Sequence, residues 1–392
     1  MSKELNYLIR SMIEADNTLE QNKIFENTFS RSDNIKIFLF DEKNSNIDET
    51  FKNKKINGYK TFGLADYTKA WVLDSKHIGE ESRELKIGKV VHFDLNILTY
   101  LNNFLNNRMQ NIDISNFIEY IEFIENNQFN YNISTAIMER SASAINNYGK
   151  KAWSEIIISY VKFSNKNFNI THPNKIMLTE SDYEWAKDIY DFLLQEKEQI
   201  SQYQALCCLM LKAFLIKQDK EIKNKTEVLL HYSLDVLNVY LELETIIIDK
   251  YFKNEKSVKK IFEKIENFSK DTVKKILNTT WDISHVRLME LTLAEDNKDV
   301  EEVFLPYFSS RDLAFNELSE INPIKMFIIY EEQSFAIRKK GISDICTNES
   351  LLSKIENETE KRKINVNKVD LEGEKIKLMN EVKYKQNLLF KK

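Results

Sequence analysis

"KVVHFDLNILTYLNNFL", residues 89–105, is the stretch on which the reading of this chain turns. Val90, Val91 and Phe93 belong to a short apolar run that ends on Asp94, and from Leu95 onward the apolar residues recur at helical spacing. Such a pattern predicts a buried strand followed by an amphipathic helix from about Leu95 to Asn106. A surface aspartate needs no explanation. An aspartate at the carboxyl end of an apolar strand, where a helix begins, stands where open α/β folds carry their active sites. The same position is also a helix N-cap, for which Asp is a preferred residue. Whether other acids share that context separates the two readings.

The rest of the chain sets the frame. Its 392 residues are enough for roughly two or three domains. Hydrophobic residues at 42% and charged residues at 30% describe an ordinary globular composition. With only 7 Gly and 3 Pro, helices are expected to dominate. A net charge of -5 gives no global drive toward nucleic acid, although a local basic groove fits within it. Cys207, Cys208 and Cys346 form no CxxC pair, which argues against a zinc site or a disulfide framework and for a reducing compartment. The longest near-apolar run, "ALCCLMLKAFLI", is interrupted by Lys212 and is too short for a bilayer. The start lacks an apolar signal segment. The expectation is a cytoplasmic protein with no membrane association.

Residues 3–30 read as one amphipathic helix, "NIKIFLF" at 34–40 as a strand, and the stretch to about 85 as mixed and polar. "SNFIEYIEFIENN" and "FNYNISTAIMERSASAI" read as helical, and 150–275 as strongly helical. "TTWDISHVRLMEL" at 279–291 reads as a capped helix, and "VEEVFLPYFSSRDLAFNEL" as a strand, a small-polar turn and a helix. Beyond about 330, polar helices are expected. No repeat and no Pro/Gly/Ser linker is visible.

Four acids fall at strand–helix junctions or on predicted helices: Asp94 in "HFDLN", Glu139 in "TAIMERSA", Asp282 in "TWDISHVRL" and Asp312 in "FSSRDLAF". In this ordered series the chain resembles the PIN-like nuclease superfamily. Those proteins carry an Asp after the first strand, often with Asn or Ser two positions on. A Glu on a helix follows, then an Asp opening a later helix, then a Ser/Thr-x-Asp turn. The matching positions are Asp94 with Asn96, Glu139, Asp282, and Ser310-Arg311-Asp312. The resemblance implies an α/β fold, a parallel sheet core flanked by helices, in a chain that is predominantly helical overall. The span from Glu139 to Asp282 is far longer than a compact PIN-like domain needs, so a large helical insertion is expected. The implied division is 1–88 as an N-terminal extension, 89–150 with 276–330 as the core, 151–275 as the insertion and 331–392 as a helical tail.

The resemblance implies a metal-dependent endoribonuclease, in the setting of a toxin or phage-defence effector. Asp94, Glu139, Asp282 and Asp312 would hold Mg2+ or Mn2+, with Asn96, Ser310 and His285 in support. The chemistry is coherent: phosphodiester hydrolysis needs an activated water and charge relief on phosphate, and hard cations held by oxygen ligands supply both. RNA is the expected substrate, with DNA not excluded, and the insertion offers a surface for a protein partner or inhibitor. The competing function is a non-catalytic interaction protein built on a degenerate nuclease core. Each residue also has an ordinary role open to it. Asp94, Asp282 and Asp312 suit N-caps, Glu139 a solvated helix face, and His285 a helix interior. Asp235, Glu242 and Asp249, spaced by seven, suit a solvated stripe, and Trp281 and Tyr307 suit the core. No Arg-x(4–6)-His motif and no GxSxG is present, which disfavours HEPN-type ribonucleases and serine hydrolases.

Overall fold

The computed structural model describes the chain except residues 1–2, 41–46, 48–50, 80–85, 142–146, 165–178, 196, 299–301, 312–313, 332, 358–367 and 391–392. The chain divides into two compact units. The first comprises Met1–Tyr190, Leu288–Arg311 and Pro323–Arg338; the second comprises Asp191–Arg287, Asp312–Asn322 and Lys339–Lys392.

The first unit holds two sheets. The strands are β1 (Ile35–Leu39), β2 (Lys54–Ile56), β3 (Tyr59–Gly63), β4 (Trp71–Asp74), β5 (Ile87–Phe93), β6 (Phe129–Asn132), β7 (Val303–Ser310), β8 (Ile324–Tyr330) and β9 (Gln333–Arg338). One sheet runs β4-β1-β8-β9, all antiparallel. Its central strand β1 is buried along its whole length. The helices α1 (Lys3–Glu14) and α2 (Thr18–Thr28) cover one face, where Leu5, Leu8, Met12 and Phe25 pack on Ile35, Ile37 and Ile328. The single helix expected over 3–30 is split because Asn17 caps α2, its side chain accepting from the Glu20 amide at 3.0 Å.

The other sheet positions the candidate site. Its order is β2-β3-β7-β5-β6. β5 runs parallel to β6 and to β7, whereas β3 joins β7 antiparallel and β2 joins β3 antiparallel. The core sheet is therefore mixed and not purely parallel as expected, because the segment read as an N-terminal extension supplies two of its strands. The β2–β3 turn is Asn57-Gly58, both at positive φ (50° and 87°), the signature of a tight hairpin turn. β5 is buried from Lys89 to Phe93 because it lies inside the sheet with neighbours on both edges. Pro306 is tolerated in β7 because the β3 ladder ends at Gly63 opposite Tyr307. Beyond that point the Tyr67 hydroxyl donates to the Pro306 carbonyl at 2.7 Å.

From β5 the chain crosses through α3 (Leu95–Leu105) and α4 (Asn111–Asn126) to β6, then enters α5 (Ser134–Ser141) and α6 (Asn147–Ser164). The helix α3 buries Leu95, Ile97, Leu98, Leu101, Phe104 and Leu105, the stripe its sequence period predicts. It ends at Asn106, with Asn107 at φ 54°.

The second unit is helical among the described residues. The helix α7 (Glu180–Gln195) leads into it. It is built from α8 (Lys197–Gln218), α9 (Lys225–Asp235), α10 (Glu242–Phe252), α11 (Lys259–Phe262), the first part of α12 (Thr272–Asp296), α13 (Ala314–Ile321), α14 (Glu349–Asn357) and α15 (Leu371–Phe390). The helix α8 packs against α9, α10 and α15. Its Cys207 and Cys208 are free and buried, as is Cys346. Gln333–Arg338 form β9 in the first unit, and Lys339–Lys392 fall in the second. Among the described residues no helix is long and apolar enough to cross a membrane.

Candidate functional site

The carboxyl ends of β6, β5 and β7 lie side by side. The connection from β5 leads to β6 on one side, while β7 flanks β5 on the other. The chain order thus changes direction at β5, and the crevice beyond β5 and β7 is where such sheets bind ligands.

Asp94 stands at these strand ends, directly after β5. Its backbone stands at the N-cap of α3 (φ -61°, ψ 152°), yet its side chain makes no capping hydrogen bond. Oδ2 instead accepts from Ser310 Oγ at 2.7 Å and from Asn96 Nδ2 at 3.1 Å. The Asp94 amide donates to the Ser309 carbonyl at 2.9 Å, extending the β5–β7 ladder. Asp94 and Ser310 are both buried, so the carboxylate is held between two strand ends and one helix turn. The donors available to a cation here are a carboxylate, an amide oxygen and a hydroxyl. All are hard oxygen ligands of the kind Mg2+ or Mn2+ takes.

Glu139 lies on α5, which packs against α3 and β5; its side chain is outside the described residues. Asn132 at the end of β6 starts that helix, accepting from the Ser134 amide at 2.8 Å and the Ser134 hydroxyl at 2.6 Å. Asp312 also lies outside the described residues, two positions past Ser310.

Asp282 departs from expectation. It sits in the interior of α12, ten residues after Thr272, and not at a helix start. Thr280, read as part of a cap, instead turns its Oγ1 back to the Ile276 carbonyl at 2.8 Å within the helix. Asp282 and His285 belong to the second unit. His285 is buried beside Trp281, whose ring stacks on Tyr203 at 3.9 Å. The Asp235–Glu242–Asp249 stripe does not form on one helix, because the chain leaves helix between α9 and α10, where Asn238 has φ 53°. Asp235 pairs with Lys354 and His231, and Asp249 accepts from Thr226 at 2.7 Å and pairs with Lys253 at 2.8 Å. Glu244 is buried against Arg287 through contacts of 2.8 and 3.1 Å. Among the described residues no three His, Cys, Asp or Glu side chains converge as a metal site.

On the other side of β7, residues from four separate elements form an aromatic platform. The buried Ser309 hydroxyl bonds to the hydroxyl of Tyr120 on α4. Tyr120 stacks on Tyr59 of β3 with centroids 4.7 Å apart. The Arg311 guanidinium lies 5.0 Å from the Tyr59 ring and 4.8 Å from the ring of Tyr100 on α3. Burial pushes the Tyr59 phenol up to about 12, against an opposing pull from Arg311; burial also raises Tyr120. Both stay neutral at physiological pH. No local pattern announces this group, since its members come from β3, α3, α4 and the end of β7.

Searches of family models, curated proteins and solved structures returned no match to this chain.

Proposed function

We propose that the first unit is a metal-dependent endoribonuclease of PIN-like type, with Asp94 as the central ligand at the β5–β7 strand ends. One observation carries the reading. Asp94 has the backbone position of a helix cap, but its carboxylate is tied to Ser310 and Asn96 and leaves the helix end uncapped. A residue kept only for capping would accept from the first-turn amides, which stabilises a helix by about 1 kcal/mol.

Asp94 would hold Mg2+ or Mn2+ together with Glu139, while Ser310 and Asn96 fix the orientation of its carboxylate. A divalent cation supplies water activation and relief of phosphate charge. The chain's own contribution is orientation. Ser310 donates to Oδ2 from a neighbouring strand, and Asn96 donates from the first turn of α3, so the carboxylate cannot swing to the helix amides without losing both bonds. Glu139 belongs to the helix that Asn132 starts, which packs against α3 and β5. Asp282 is left out of this set because it lacks the helix-opening position that the motif requires.

The test is cleavage of a labelled RNA with added magnesium or manganese, with and without chelator, for the wild type and Asp94→Asn. Cleavage that needs the cation and is lost in the variant supports the reading. Cleavage that ignores chelator, or full activity in Asp94→Asn, would leave Asp94 with a structural role. In that outcome the non-catalytic interaction protein becomes the better reading.

A further inference from the structure

We infer that Arg311, held on the rings of Tyr59 and Tyr100, is a phosphate-binding group that takes the backbone of a single-stranded RNA beside Asp94. The inference rests on the nuclease reading of the Asp94 crevice and names the part of the substrate met by residues outside the acid set.

Arg311 follows Ser310 at the carboxyl end of β7. Successive strand residues face opposite sides: Ser310 turns to Asp94, and Arg311 joins Ser309 on the side of Tyr59 and Tyr120. The helix α3 connects the two sides. Asn96 and Tyr100 lie one turn apart on it and share a face; Asn96 bonds the Asp94 carboxylate, and the Tyr100 ring carries the guanidinium. Arg311 is half-buried. Among the described residues no carboxylate forms an ion pair with it.

A structural arginine in a partly buried place is normally neutralised by a carboxylate. In this chain Glu244 pairs with Arg287, and Glu290 with Arg338. The guanidinium of Arg311 lies beside two rings that stand nearly perpendicular to each other, with centroids 6.1 Å apart. Cation–π contact holds the group in place without consuming its N–H donors, which suits contact with a phosphate. The platform is itself braced: Tyr59 is buried and stacked on Tyr120, whose hydroxyl is bonded to Ser309. The guanidinium is thus positioned before a ligand arrives, which lowers the ordering cost of binding. The Tyr100 ring, half-buried, adds a surface on which an unstacked base of single-stranded RNA can lie.

The test uses the full chain in chelator, so that binding is read without cleavage. A short fluorescein-labelled single-stranded RNA is titrated by anisotropy at several salt concentrations against the wild type, Arg311→Gln and Arg311→Lys. The expected result is that Arg311→Gln binds about tenfold more weakly or worse, with a salt slope flatter by about 0.7, the value of one single-strand phosphate contact. Arg311→Lys keeps the slope but loses affinity, because the bidentate fork is gone. If Arg311→Gln does not fold, Arg311→Lys decides. Wild-type affinity and slope in a folded Arg311→Gln, or wild-type affinity in Arg311→Lys, would overturn the inference. Thermal shift with inorganic phosphate alone is expected to be small. A phosphate-induced shift exceeding that from the RNA, and lost in Arg311→Gln, would overturn the RNA assignment in favour of a small anion. RNA binding that depends on Arg311 without any metal-dependent cleavage would uphold this inference and sink the nuclease reading.

Discussion

Ser310 donates a 2.7 Å hydrogen bond to the carboxylate of Asp94 from the end of the neighbouring parallel strand. That single bond separates Asp94 from an ordinary helix cap. It also sets what Asp94→Asn should do. The amide keeps one oxygen to accept from Ser310 and Asn96, and no capping bond exists to lose. In metal-free buffer the melting temperature is expected to stay within a few degrees of wild type. Cation-dependent RNA cleavage is expected to fall by roughly two orders of magnitude or more, equivalent to losing about 3 kcal/mol of transition-state stabilisation. Differential scanning calorimetry beside single-turnover cleavage checks both. A variant that unfolds, or that cleaves as fast as wild type, contradicts the role given to Asp94.

Ser310→Ala removes the donor and leaves the acceptor. The bond is buried and its acceptor is charged, so the loss of stability is expected at about 1 to 2 kcal/mol. On the proposed reading Ser310 orients a metal ligand without being the main one, so cleavage should drop about tenfold, mainly in kcat. Denaturant melts and steady-state kinetics measure the two effects. A fall in stability with unchanged kcat would make Ser310 purely structural.

How much of this the sequence discloses depends on whether the signal is local. β5 and α3 are legible because an interior strand and an amphipathic helix each write their period into consecutive residues. Asn57-Gly58 is a strong hairpin signal, but the strands it joins, "KKI" and "YKTFG", show little apolar alternation, so both go unseen. The β8–β9 hairpin is hidden because its turn uses Glu331 at φ 52°, not Asn or Gly. At 279–291 the residue types of a capped helix start are present, but helix α12 has already begun at Thr272. The Arg311 platform has no sequence signature, since Tyr59, Tyr100 and Arg311 meet only through the tertiary fold.

A buried ion pair offers a test of the first sheet. Lys36 on β1 and Asp74 at the end of β4 are both buried, with Nζ 3.6 Å from Oδ2. Lys36 Nζ also donates to the Asn297 carbonyl at 3.1 Å, and Asp74 Oδ1 accepts from the Lys76 amide at 3.0 Å. Asp74→Asn keeps the amide bond to Lys76 but removes the carboxylate charge 3.6 Å from the Lys36 ammonium. Breaking one side of such a pair is expected to cost about 3 kcal/mol. The double variant Lys36→Met, Asp74→Asn should recover most of that loss, because the buried ammonium is removed along with its partner carboxylate. Urea denaturation of the single and double variants forms a cycle. A double variant as unstable as Asp74→Asn would mean that packing, not charge, dominates at this site.

The last expectation concerns pH and Asp296. Burial, reinforced by the neighbouring Glu295, raises its carboxyl from 3.8 to about 6. It is also the final residue of α12, where the helix dipole disfavours a negative charge. Its Oδ2 is buried and meets no hydrogen-bond donor among the described residues. Between pH 4 and 6 the folded chain therefore holds a proton that the unfolded chain has released. Stability must fall as pH rises through that window and level off above about 6. The full shift corresponds to a ceiling of about 3 kcal/mol. Since Asp296 is partly open to solvent, about 1 kcal/mol is the expected size, a few degrees in melting temperature for a unit this large. Asp296→Asn cannot ionise, so it should melt higher than wild type above pH 6, with the gap closing toward pH 4. Paired thermal melts from pH 4 to 7.5 read the difference directly. A gap that is constant across the range, or that widens toward acid, would show that the Asp296 carboxyl is not the group losing stability.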